Sequence, residues 1–117
     1  MLAAKPHPTD AAFAALGDPT RRAILARLAD GELGVMDLAK PFTMSQPAIS
    51  AHLKVLENAG LIERRIDGTR RPCRIAPGGL SAVEDWLAGL HTVMSARYDR
   101  LDTVLAAMTP DQQKEDR

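Results

Sequence analysis

The sequence is poor in several things at once. In 117 residues it has one cysteine, one tryptophan, one tyrosine and two phenylalanines, and 15 Lys and Arg are matched by 15 Asp and Glu. A lone Cys73 cannot close an internal disulfide or anchor a multi-cysteine metal site, a pattern that suits a reducing, cytoplasmic setting. With aromatics at 3%, the core must rest on Leu, Ala, Ile, Val and Met. Apolar runs stop after a few residues, which excludes a bilayer span. Met1 to Asp10 carries one Lys and two Pro and lacks the apolar stretch of a secretion signal. What is present, 45% hydrophobic and 26% charged residues, fits one soluble globular domain. A net charge of zero, taken alone, argues against a polyanionic partner.

The total hides a partition. Residues 1–44 balance at five basic and five acidic side chains. Residues 45–75 carry Lys54, Arg64, Arg65, Arg70, Arg71 and Arg74 against Glu57, Glu63 and Asp67, six minus three or +3. Residues 76–117 hold four basic and seven acidic side chains, or −3. The middle segment could therefore face a polyanion, or be nothing more than solvated surface.

Local signals divide the chain into elements. Pro6 and Pro8 mark an irregular entry, and Thr9 or Asp10 can cap a helix running to about Leu16. Gly17 breaks it, and Asp18 with Pro19 starts a second helix whose stripe is Ile24, Leu25 and Leu28, with Arg21, Arg22 and Arg27 off that stripe. After Asp30-Gly31, Glu32 to Val35 reads as extended and Met36 to Ala39 as a brief helix stopped by Pro41. Ser45 is then a good N-cap, Gln46 and Pro47 fall in a first turn, and Ile49, Leu53 and Leu56 form a core stripe. Gln46, Ser50, Ala51 and Lys54 point elsewhere, and Gly60 ends the helix. Asp67-Gly68 between two strand-like runs signals a hairpin, with Pro72 implying that its second strand is an edge. A last helix runs from about residue 79 to 108. Its stripe includes Leu80, Val83, Leu87, Leu90, Met94, Leu101, Leu105 and Met108, broadened by Trp86, Val93, Tyr98 and Val104. Gly89 weakens it by about 1 kcal/mol relative to Ala, which makes a bend feasible. That stripe exceeds what one small domain can cover and is best matched by its counterpart in a second subunit, the alternative being a helix folded back on its own domain.

The expected fold is mainly α with a small β-hairpin: a winged helix-turn-helix dimerising through terminal helices. Residues 1–9 are expected to be flexible, 10–108 to form the domain with its dimerisation helix at about 79–108, and 109–117 to be a flexible tail. A helix with small polar residues at its start can enter the major groove of double-stranded DNA, while hairpin arginines reach the flanking backbone. A dimer would read a roughly palindromic operator.

The run Phe13-Ala14-Ala15-Leu16-Gly17-Asp18-Pro19-Thr20-Arg21-Arg22-Ala23-Ile24-Leu25 resembles the opening signature of the ArsR family of winged-helix repressors. Ser45 to Leu56, followed by Ala59-Gly60-Leu61-Ile62, resembles its recognition-helix block. The likeness covers about residues 12–75 and implies a homodimeric repressor released from its operator by an inducer. Carried over by position, Gln46, Pro47, Ser50 and Ala51 would face the groove, with Lys54, Arg70 and Arg71 near phosphate and Ser45 also among the DNA-binding residues. His52 would either hydrogen-bond a phosphate or pack beside the helix.

The best-known members sense metals through a Glu-Leu-Cys-Val-Cys-Asp-Leu stretch, whereas this chain reads Glu32-Leu33-Gly34-Val35-Met36-Asp37-Leu38. Without those thiolates a soft metal has no site there. The last helix offers only His91 with Glu84, Asp85, Asp99 and Asp102, and no His pair at ligand spacing, so His91 reads as a partly buried histidine. The pattern is similar to the non-metal branch, with no cofactor and an unspecified inducer. Cys73, flanked by Arg70, Arg71 and Arg74, is a redox-sensor candidate if exposed, since those charges would lower its pKa; otherwise it is a small buried hydrophobe. No phosphate loop, nucleophile elbow or metal motif supports an enzyme. A protein-interaction module is the stronger rival, although it would not need the basic segment.

Overall fold

Short-range chemistry sets the helix ends in the computed structural model, which describes residues 7–108. Of the two segments expected to be flexible, 1–9 and 109–117, all but His7, Pro8 and Thr9 lie outside the described residues. Helix α1 spans Pro8–Leu16, starting before Thr9 and Asp10, and is capped by His7, whose Nδ1 accepts from the Thr9 N–H at 3.1 Å. Proline favours this earlier start because its φ is already helical and its missing N–H would have been unpaired. Helix α2 (Pro19–Leu28) repeats the device with Asp18, whose carboxylate accepts from the Arg21 N–H at 3.0 Å. Helix α3 (Val35–Ala39) is one short turn anchored by the buried Leu38.

Helix α4 (Gln46–Asn58) is the best specified element. The Ser45 hydroxyl oxygen accepts from the Ala48 N–H at 3.3 Å, and Ile49, Leu53 and Leu56 are all fully buried. At its other end Gly60 takes φ +78°, Leu61 N–H donates to the Leu56 carbonyl and Gly60 N–H to the Glu57 carbonyl, both at 3.0 Å. That is a Schellman cap, and its usual hydrophobic pair is present as Leu56 against Leu61. The cap turns the chain directly into strand β1 (Ile62–Arg64).

Strand β1 pairs antiparallel with β2 (Cys73–Ile75), in the register Ile62 with Ile75 and Arg64 with Cys73. At the tip Asp67 pairs with Arg70, so the two loop residues are Gly68 and Thr69, with Gly68 at φ +63°. A glycine at the first loop position is what a type II′ hairpin requires. The ladder starts later than the sequence suggests, after Pro72, and β2 is not a bare edge. Leu33 lies along its other side, exchanging two backbone hydrogen bonds with Cys73 at 3.0 and 2.8 Å.

The described chain divides into two units, one ending at Val83 and one starting at Glu84. The first has a core of Ala12, Ala15, Ile24, Leu25, Leu28, Leu38, Ile49, Leu53, Leu56, Leu61, Ile62, Cys73 and Val83, with no polar side chain buried among the described residues. Contrary to expectation, methionine contributes little: Met44 is only partly buried and Met36 is 70% exposed. Helix α5 (Ser81–Met108) begins in this unit and makes up the described part of the second. There it carries Leu87, Leu90, Val93, Leu101 and Val104, each 44–54% exposed in the single chain.

Just before α5 the chain passes very close to the end of α4. A Cβ at Gly79 would stand 2.7 Å from the Gly60 carbonyl oxygen, 3.0 Å from that of Ala76 and 3.2 Å from that of Leu61. All three are backbone atoms and cannot rotate away. Gly79→Ala is therefore expected to destabilise the fold by about 1–3 kcal/mol in urea unfolding. A loss below about 0.5 kcal/mol, within the range of an ordinary surface change, would contradict this close approach.

Candidate nucleic-acid interface

The side of α4 away from the core is small and polar. Gln46, Pro47, Ala51 and Lys54 are exposed and Ser50 is half-buried, as is His52. Ser45, also exposed, spends one lone pair on capping and keeps its O–H to donate. The Ile49, Leu53 and Leu56 stripe fixes the rotation of the helix, so these residues face outward together.

The hairpin supplies charge, but less than the count of +3 implied. Arg64 lies 3.9 Å from Glu57, Arg65 pairs with Glu32 through two nitrogens, and Arg74 Nε donates to Glu63 at 2.6 Å. Three of the six basic side chains thus have acidic partners, one of them from outside the segment. Lys54, Arg70 and Arg71 have no ion-pair partner among the described residues, and all three are exposed. Arg71 Nη1 donates to the carbonyls of Gly68 and Arg70 at 3.2 and 3.0 Å, which holds it at the tip. The uncompensated positive charge is concentrated on the residues that sequence reasoning placed near phosphate.

His52, for which a phosphate contact and packing beside the helix were both open, is half-buried against the start of α2. Its Nδ1 lies 3.3 Å from Arg21 Nη1 and 3.8 Å from Asp18 Oδ2. Arg21 also donates from Nε to the Ala15 carbonyl at 2.6 Å and from Nη2 to that of Ala14 at 3.2 Å, while Arg22 Nη1 donates to Leu16 at 2.7 Å. Two arginines at the start of α2 thus satisfy the carbonyl end of α1, where positive charge is favoured. Sequence reasoning noted Arg21 and Arg22 only as residues off the stripe. The signal for their role was their place just past a helix end, three and four residues after the Asp18 cap.

The Arg21 N–H holds the Asp18 carboxyl below its ordinary value of 3.8, aided by His52 and the Arg21 charge and opposed by desolvation. Glu32 is held below 4.5 chiefly by its hydrogen bond from Arg65, whose own pKa rises in turn. A carboxyl depressed in the folded state contributes stability that is complete above its unfolded value and is lost as pH falls through its native one. Asp18→Asn with Glu32→Gln should therefore flatten the fall of Tm between about pH 5 and pH 3. An unchanged slope would show that neither group drives acid unfolding.

One open alternative narrows and one expectation fails. Cys73 is fully buried between Leu33 and β1, and burial pushes its thiol up against the opposing pull of Arg64. That is the buried-hydrophobe alternative; the exposure on which the redox-sensor alternative depended is absent. His91 is exposed rather than partly buried, its Nε2 3.5 Å from Ser95 Oγ. Among the described residues no group of three or more His, Cys, Asp or Glu could hold a metal ion. Nor is any described helix long and apolar enough to cross a membrane.

Comparison with known proteins points the same way. Residues 18–64, which run from the α2 cap to the end of β1, match the family described as bacterial regulatory protein, arsR family. The HTH-type transcriptional regulator Rv2034 of Mycobacterium tuberculosis is 51% identical over 92 residues, 79% of this chain and 86% of that protein. The crystal structure of the ArsR family transcriptional regulator RHA00566 is 40% identical and superposes with a TM-score of 0.71, covering 76% of this chain and 98% of the other. A homodimeric winged helix-turn-helix DNA-binding domain from Mycobacterium bovis, Mb0332, is 28% identical with a TM-score of 0.60, covering 78% and 91%.

Proposed function

The chain belongs to the ArsR family of bacterial transcriptional regulators, and on that footing we propose that it is a cytoplasmic homodimeric repressor of a pseudo-palindromic operator, released by a non-metal inducer. One observation carries the reading: the outward side of α4 is small and polar, and the hairpin after it ends in arginines without acidic partners. Ser45, Gln46, Pro47, Ser50 and Ala51 read base edges or fit against them, His52 and Lys54 flank the groove, and Arg70 and Arg71 grip the backbone. The domain runs from about residue 10 to 108, with α5 as its dimerisation helix. Its exposed Leu87, Leu90, Val93, Leu101 and Val104 meet their counterparts in a second copy, as the homodimeric Mb0332 domain makes reasonable. A dimer seated across a promoter denies it to the polymerase, which is repression by occupancy.

The test is an anisotropy titration against the DNA upstream of the chain's own gene at two salt concentrations. Specific, steeply salt-dependent binding is expected; weak binding without sequence preference would leave only an interaction module. Arg70→Ala with Arg71→Ala should weaken binding equally across sequences and, with two arginines lost from each of two subunits, reduce the salt slope by about four. Gln46→Ala should instead relax the preference at particular bases. If the two changes had the same effect, the division between reading and gripping residues would be wrong.

A further inference from the structure

Arg21 Nη1 meets His52 Nδ1 at 3.3 Å, and a guanidinium has donors only. That contact is a hydrogen bond only when Nδ1 accepts, which for a neutral imidazole places the proton on Nε2. The competing arrangement, Nδ1–H donating to Asp18, is poorly placed. Oδ2 stands 3.8 Å away, beyond hydrogen-bond reach, and already accepts from the Arg21 N–H at 3.0 Å. Arg21 is itself fixed by the Ala14 and Ala15 carbonyls at the end of α1, so its Nη1 has little freedom to leave the ring. Asp18 and Arg21, both at the start of α2, are the charged groups recorded against His52 among the described residues. Helical spacing sets His52 on the flank of α4 opposite Ser50, and its side chain keeps 18% exposure.

We propose that Arg21, braced by the end of α1, selects the Nε2–H tautomer of His52 and makes that ring a positioned donor to a DNA phosphate, on the flank of α4 opposite Ser50. Arg21 is the positioning residue and His52 makes the contact; the inference rests on the DNA-binding role given above. It gives Arg21, which also closes the end of α1, a part in the reading head. Phosphates line both walls of the major groove, so a donor on each flank of α4 would center the helix between them.

The tautomer can be read without DNA, from the nitrogen-15 shifts of the histidine ring in the free full-length protein. His52 should show an unprotonated Nδ1 and a protonated Nε2, and Arg21→Lys, which keeps the charge but not the fork, should scramble the two. Side-chain mimicry then separates contact from packing. Gln places an amide near the Nε2 position and Asn near Nδ1. His52→Gln should bind the upstream duplex within about threefold of the native protein, while His52→Asn should lose on the order of tenfold. A protonated Nδ1 in the native protein overturns the proposal, as does equal or reversed ranking of the two variants. If Arg70→Ala with Arg71→Ala still weakens binding while Gln and Asn rank alike, the repressor reading stands and this inference falls. If the native protein binds no duplex, both fall.

Discussion

Leu53→Ala should lower the unfolding free energy by about 3 kcal/mol, within the 2–5 kcal/mol span of buried Leu truncations. Leu53 is fully buried at the center of the α4 stripe, between Ile49 and Leu56, in a core that is mainly aliphatic. A domain of this size has only about 5–15 kcal/mol in hand, so the change should lower Tm by roughly 10–20 °C. Thermal and urea unfolding at a fixed protomer concentration would check it, since any dimer makes Tm depend on concentration. Val55, on the same helix but 41% exposed, supplies the contrast: Val55→Ala should cost less than about 1 kcal/mol. Similar losses at the two sites would mean that the α4 stripe is not the spine of the core.

The second large effect is expected from charge on α5. Leu90 and Leu101 are 44% and 54% exposed in the single chain, and Leu90→Glu with Leu101→Glu would put four carboxylates into the proposed two-fold interface. Size-exclusion chromatography with light scattering should show a monomer, still helical and still cooperatively folded. Operator affinity should fall by about 100-fold or more, because the second half-site loses the millimolar effective concentration that a linked partner supplies. Asp99→Asn, on the same helix outside the apolar stripe, should change neither property. A double variant that stays dimeric would move the interface elsewhere. A monomer that binds the operator as the native protein does would remove the need for a dimer.

Much of this was legible in the sequence because the deciding interactions are local. Ser45 caps α4 through a hydrogen bond three residues long, Gly60 ends it through bonds of three and five residues, and Gly68 sets the hairpin turn. A stripe at Ile49, Leu53 and Leu56 needs nothing but helical spacing to be seen. The outward residues of α4 then follow by exclusion, and with them the candidate reading surface. The first helix was less clear, since His7 is not a preferred cap and the Pro8 start concealed it.

What failed or stayed open depended on partners far apart in the chain. Cys73 could be an activated thiol or a small buried hydrophobe while only its neighbours in sequence were counted; the fold buries it, with Leu33, forty residues earlier, bonded along its strand. The zero net charge is a similar case. Divided by segment it became +3 on the helix and hairpin, but Arg65 is paired across 33 residues with Glu32, and Arg64 and Arg74 with Glu57 and Glu63. Sequence alone determined the helices, the turn and the family, because each is set by bonds spanning a few residues or by a repeated spacing. Only the tertiary structure decided which arginines keep their charge for a partner and which nitrogen of His52 is held. The His52 and Arg65 contacts join residues 31 and 33 apart and the other two arginine pairs residues 7 and 11 apart, and no helix or turn rule specifies them.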